Sequence, residues 1–377
     1  MMERSLRLRN TGFLAFFFSG ICAISSGIIV SILQETYGFS YGTTGLLLSC
    51  MNVGNITASF ASGILPTKIG AKNTVFILCS GYFLGYLAMT LTGLVPLLII
   101  AFIIVGIAKG CTINNCTVLV GNNSKDRTKG MSIMHACYAC GALLCPFLIA
   151  ALASRNSRFP MIGLAVVGFL LWLAFVTAGL PGKVVSKGEK VRTDFSFMRS
   201  SRFWLLTALI FCQNAAETSV TGWMVTYYKN QGILSGTLST YTVTIMWSAT
   251  LLIRLLIAFV FPMKNTFKSL TVMGLGCTLF YGLMIAVDAP IGAILLLSAF
   301  SFAMGGVNPV AVAGIGKEMS SASIGVMLPV AAIGTVIMPA VIGKIADLVS
   351  LRAGMFVNLL PCLGIMIFSI VLQKMKK

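Results

Sequence analysis

Gly141-Ala-Leu-Leu-Cys-Pro146 and Gly334-Thr-Val-Ile-Met-Pro339 are one phrase written twice, 193 residues apart. Asn115, upstream of the first copy, and Asn308, upstream of the second, keep the same offset. So do the apolar runs that begin near Asn10 and Phe203. Glycine and proline recur by chance in apolar helices, but chance accounts poorly for three aligned positions. A basic segment, Pro181–Arg202, stands at the midpoint. The pattern predicts two six-span halves, residues 1–180 and 203–377, joined by a linker at 181–202.

Composition sets the class. The 377 residues are 57% hydrophobic and 10% charged, with a mean hydropathy of +0.95. Apolar runs of about 20 residues, the length that crosses a bilayer, recur from end to end. The fold class is therefore an all-α polytopic membrane protein; a β-barrel would alternate with period two. Twelve transmembrane helices are placed near 11–33, 43–65, 74–93, 96–119, 131–152, 160–180, 203–228, 239–262, 269–287, 291–316, 324–347 and 353–373. The first follows Arg4, Arg7 and Arg9 but is too long for a signal peptide, so an uncleaved span is expected.

The net charge of +18 would suggest nucleic acid in a soluble chain. Here 20 of the 27 basic residues fall on one side when alternate loops are assigned to opposite faces. Only Arg155, Arg158, Lys229, Lys344 and Arg352 fall on the other, and Lys109 and Arg254 lie within spans. Both termini are thus expected in the cytoplasm, with an even number of spans and the bilayer, not nucleic acid, as the partner. The short loops suggest a plasma (inner) membrane. The 11 cysteines scatter through apolar runs and read as packing residues. Cys137-Tyr-Ala-Cys140 has no second ligand pair near it, so no metal is expected. The chain also shows no nucleotide loop or nucleophile motif, which leaves no cofactor, no enzyme and no ATP-driven pump.

Glu217 is the only carboxylate deep inside a predicted span, in Phe211-Cys-Gln-Asn-Ala-Ala-Glu217-Thr-Ser-Val-Thr-Gly-Trp223. A charge at that depth costs about 2.5–3.5 kcal/mol on insertion scales and persists where it faces protein or water. Gln213, Asn214, Trp223 and Tyr227 flank it, and Asn115 and Asn308 add amides on spans four and ten. Amides and aromatic rings around one wet acid suit a polar organic solute. Single asparagines also serve as interhelical glue, the stronger reading for each taken alone.

Several runs resemble those of the major facilitator superfamily, over the whole chain. Gly63-Ile-Leu-Pro-Thr-Lys68-Ile-Gly70-Ala-Lys72 is similar to its Gly-x-Leu-x-Asp-Arg-x-Gly-Arg-Lys loop, with Thr67 in place of Asp and Ala71 in place of Arg. Met134-His135-Ala136…Gly141-Ala142…Pro146 and Ala216-Glu217-Thr-Ser-Val-Thr-Gly222-Trp223 resemble the fucose–galactose–glucose:proton symporter branch. That branch carries acids in spans one and four, whereas Gly20–Leu33 holds none and Cys111 stands at the span-four position.

The resemblance implies that spans one, four, seven and ten line a central cavity. Lys109 and Glu217 then sit at matched depth on two cavity helices, a pair sensitive to proton or substrate; a static packing pair is the alternative. Arg254 falls where the family has a gating arginine, and Lys68 lies in the gating loop. An anion-binding Arg254 is the second reading. His135, the only histidine, either titrates or packs. The expected function is a secondary active transporter, proton-coupled and monomeric. It moves a small-molecule substrate: a sugar, a sugar derivative or an organic anion. Drug or metabolite efflux, or a non-transporting receptor or scaffold on the same fold, are the alternatives. No filter or ring of charges supports a channel.

Overall fold

The computed structural model describes residues 2–124, 127–180, 196–260, 265–314 and 321–375. Most of the expected linker lies outside the described residues. All the regular structure described is helical. Among the described residues a helix stands at each of the twelve predicted runs, and ten helical stretches are long and apolar enough to cross a membrane on length and composition. The other two, Tyr41–Ile69 and Ser201–Asn230, have 29 and 30 residues. At 1.5 Å per residue each exceeds the roughly 30 Å hydrocarbon core.

The chain divides into two compact units. One holds Met1–Phe39 and Leu46–Gly188, the other Ser40–Gly45 and Glu189–Lys377. In the first, α1 (Met2–Ile24) and α2 (Ser26–Tyr37) form one span, followed by α3 (Tyr41–Ile69). Next come α4 (Ala71–Cys79), α5 (Gly81–Leu91), α6 (Val95–Asn123), α7 (Arg127–Ala153) and α8 (Phe159–Thr177). Serines sit at two of the breaks. Ser25 Oγ donates to the Cys22 carbonyl at 2.9 Å, and Ser80 Oγ to the Ile77 carbonyl at 2.7 Å. Such local bonds offer the backbone an alternative partner and bend a helix.

The repeated phrase has a packing cause. α1 crosses α7 at Gly141, where an added Cβ would lie 2.0 Å from the Phe17 carbonyl oxygen. Only a residue without a side chain lets two backbones approach so closely.

The second unit contains α9 (Ser201–Asn230), α10 (Gly236–Thr240), α11 (Thr242–Phe259), α12 (Thr266–Ala286) and α13 (Pro290–Gly305). It continues with α14 (Val307–Ala313), α15 (Ser321–Leu348), α16 (Leu351–Val357) and α17 (Leu359–Met375). Here α9 packs on α15 at Gly334, where a Cβ would meet the Phe211 carbonyl oxygen at 2.5 Å. The same glycine position therefore makes the equivalent crossing in each unit. The first turn of α3 belongs to this unit: the amides of Tyr41 and Gly42 donate to the Asp347 carboxylate at 2.8 and 2.7 Å. A carboxylate on the unpaired amides of a helix N-terminus is favourable for both charge and hydrogen bonding.

Candidate functional site

α9 begins with a capped turn, in which Ser200 Oγ accepts the Phe203 amide at 3.3 Å, and then presents polar residues halfway along its length. Gln213 is buried, and its Nε2 donates to the Glu217 carboxylate one turn on. Its Oε1 accepts from Asn308 Nδ2 of α14 at 3.1 Å. Glu217 and Asn308 are half-buried. The result is a directed chain in which Asn308 donates to Gln213 and Gln213 donates to the acid. Every donor in it points at Glu217, which suits an ionised carboxylate, an acceptor at both oxygens. A protonated Glu217 gains an O–H donor while its carbonyl oxygen still accepts from Gln213, so protonation removes the charge and leaves the chain closed. One acid on α9 is thereby joined through Gln213 to an amide on α14.

α14 follows a break in the predicted tenth span, and the break has a covalent cause. Pro309 has no amide hydrogen, so the Gly305 carbonyl four residues earlier loses its helical donor. Arg254 of α11 takes that place, with Nε donating to the Gly305 oxygen at 3.1 Å. Arg254 was expected at a gate or on an anion; its Nε is spent on the backbone three residues before Asn308. Arg254→Leu should therefore strand a carbonyl and lower the stability of the purified protein by about 1–3 kcal/mol. Denaturant titration reads that loss, and an unchanged midpoint would show that the bond carries nothing.

Other predicted residues of the second unit stand apart from this chain. Trp223 and Tyr227 are fully buried. The Trp223 indole donates to the Pro339 carbonyl at 3.3 Å and the Tyr227 hydroxyl to the Ile285 carbonyl at 3.1 Å. Their polar atoms thus already serve backbone carbonyls of α15 and α12. Asn214, next to Gln213, is half-buried.

In the first unit Lys109 is half-buried on α6. Asn115 Nδ2 donates back to the Cys111 carbonyl of its own helix at 2.8 Å, whereas Asn114 reaches the Ser59 carbonyl of α3 at 2.9 Å. His135 is exposed on α7, with its ring edge-on to Phe16 at 5.6 Å. Lys68 is exposed at the end of α3.

The first unit also holds a buried hydroxyl network that the sequence did not single out. Tyr82 OH lies 2.9 Å from Ser19 Oγ, and Tyr86 OH lies 2.8 Å from Ser25 Oγ. Tyr86 also donates to the Cys22 carbonyl at 2.5 Å. Two tyrosines one turn apart in an apolar run were the available signal, since a buried phenol needs a partner. Among the described residues no group of three histidine, cysteine or acidic side chains is placed to hold a metal.

The model of the family described as Major Facilitator Superfamily matches residues 12–328. A gallate transporter of Pseudomonas putida is 27% identical over 169 residues, 43% of this chain and 38% of that protein. A chloroplastic ascorbate transporter of Arabidopsis thaliana is 23% identical over 243 residues, 58% of this chain and 44% of that protein. The chain spans less than half the length of these two curated relatives in the regions it matches. In three dimensions it is similar to the nucleoside transporter NupG, with a TM-score of 0.74 and 17% identity over 99% of both chains. A bacterial homologue of the lysosomal transporter Spinster gives a TM-score of 0.74 at 12% identity, over 98% of this chain and 96% of that one. Both likenesses concern the fold.

Proposed function

The chain belongs to the major facilitator superfamily, and on that premise we propose that it is a proton-coupled secondary active transporter for a small organic anion or sugar derivative. It works by alternating access in a plasma membrane, through two six-span halves, residues 1–180 and 203–377. The observation that carries this reading is the Asn308–Gln213–Glu217 chain, which links a proton-carrying group on α9 to α14 beside a helix break. Proton exchange at Glu217 adds or removes the charge that Gln213 donates to, and a hydrogen bond to an ionised acceptor is about twice as strong as a neutral one. It therefore changes what α9 and α14 hold between them, and the solute binds against the polar groups so exposed.

The solute class rests on three supports. The runs around Gly141 and Glu217 resemble a sugar:proton symporter branch. The absent acids of that branch, in spans one and four, disfavour a neutral sugar. Lys109 supplies positive charge on span four, and gallate and ascorbate, the solutes in two relatives' names, are organic anions.

A thermal-shift panel of carboxylates, sugars and sugar acids on the purified protein provides the test. A ligand at 100 times its Kd adds about 2.7 kcal/mol of stability. Proteoliposomes with an imposed pH gradient should then accumulate each carboxylate that binds, and a collapsed gradient should stop accumulation. Ligands that bind but whose uptake ignores the gradient would sink the proton-coupled reading.

Efflux is the second reading. The Multidrug resistance protein 3 of Bacillus subtilis is 31% identical over 77 residues, 20% of this chain and 15% of that protein. Transport that runs only outward against an inward proton gradient, with apolar compounds as the binders, would favour it.

A further inference from the structure

The second unit carries a groove of about 630 Å³ along α12, flanked by α11 and α13, which none of the site residues lines. Its floor is open because the side chains there are small: a Cβ on Gly276 would come 3.1 Å from the Cβ of Ala303. Along its rim Lys268, Val272, Leu275 and Leu279 recur at helical spacing, and the three apolar ones are exposed. In a membrane protein such a stripe faces hydrocarbon, so lipid chains fill the groove.

Three properties choose the occupant. The groove is polar only at one end, where exposed Lys268 stands with Asn265 and Ser269. Lys268 to Leu279 is 11 residue steps, about 16 Å of helix at 1.5 Å per residue. That length matches one leaflet, about half of the 30 Å hydrocarbon core, whereas a partner helix would need a groove through both. Lys268 also belongs to the strongly basic side of the chain, the side that meets the anionic leaflet of a plasma membrane. We propose that this groove is a binding site for one anionic diacyl phospholipid. An acyl chain lies along Val272–Leu279, and the phosphate is held at Lys268.

Native mass spectrometry of the delipidated, detergent-purified protein tests this. The probes are phosphatidylglycerol and phosphatidylcholine with identical acyl chains. The first phosphatidylglycerol should half-saturate at about fivefold lower concentration, the effect of one lysine near a phosphate. Lys268→Gln should erase that preference and Lys268→Arg should restore it. Lys374→Gln, which alters another exposed basic residue outside the groove, should leave it unchanged. Three results would overturn the proposal. They are equal retention of the two lipids, a preference that survives Lys268→Gln, and a lipid-free dimer that covers the groove. Lys268 is exposed, so its variants leave the packing of the unit intact.

Discussion

Glu217→Gln is expected to abolish gradient-driven accumulation while solute exchange across the membrane continues. The substituted amide keeps an oxygen for Gln213 Nε2 to donate to, so the chain to Asn308 stays closed. What disappears is the ability to take up and release a proton. Exchange of labelled for unlabelled solute needs no net proton movement and isolates binding and reorientation from coupling. Stability separates this variant from Glu217→Ala. Glu217→Gln removes a charge that costs about 2.5–3.5 kcal/mol at the bilayer centre, so it should leave the unfolding midpoint unchanged or higher. Glu217→Ala strands the buried Gln213 donor and should cost about 1–3 kcal/mol. Undiminished uphill transport by Glu217→Gln would remove this acid from the coupling mechanism.

Gly141→Ala and Gly334→Ala are expected to be strongly damaging for single-methyl additions. The new Cβ would stand 2.0 Å from the Phe17 carbonyl oxygen in one case and 2.5 Å from the Phe211 carbonyl oxygen in the other. Neither obstacle is a side chain that can rotate away, so a whole helix must move. Overpacking of this kind costs about 1–3 kcal/mol, and more where backbone is displaced. Gly282→Ala is the matched control, since its Cβ would meet only Leu359 at 3.7 Å, ordinary contact. Yield and thermal unfolding of the three purified variants give the ranking: Gly141 worst, Gly334 next, Gly282 near wild type. Equal behaviour of all three would mean that the repeated phrase is not a packing device.

That repeat explains why the fold was legible. Gly141 and Gly334 perform the same local task, and a task that demands a missing side chain leaves a mark in sequence. The apolar runs are equally plain, because solvation in lipid is a property of composition. The site was legible only in part. Gln213 and Glu217 are one turn apart, and helical spacing alone brings them together. Asn308 joins them only because α14 turns that face toward α9, which no local pattern encodes. The break before α14 was written in Pro309, yet a span drawn from hydropathy ran straight through it. Trp223 and Tyr227 looked like solute contacts because they are amphipathic and near Glu217. Their burial against backbone carbonyls depends on neighbours more than 50 residues away.

The tie between Arg254 and the Gly305 carbonyl bears on coupling experiments. A guanidinium keeps its charge across the whole accessible pH range, and a peptide carbonyl has no proton to give. One end of the α13–α14 break is thus clamped by a contact blind to acidity. The other, at Asn308, connects through Gln213 to the Glu217 carboxylate. If the proposed coupling holds, gradient-driven accumulation should persist in Arg254→Lys, whatever that change does to rate. In Glu217→Gln it should be lost.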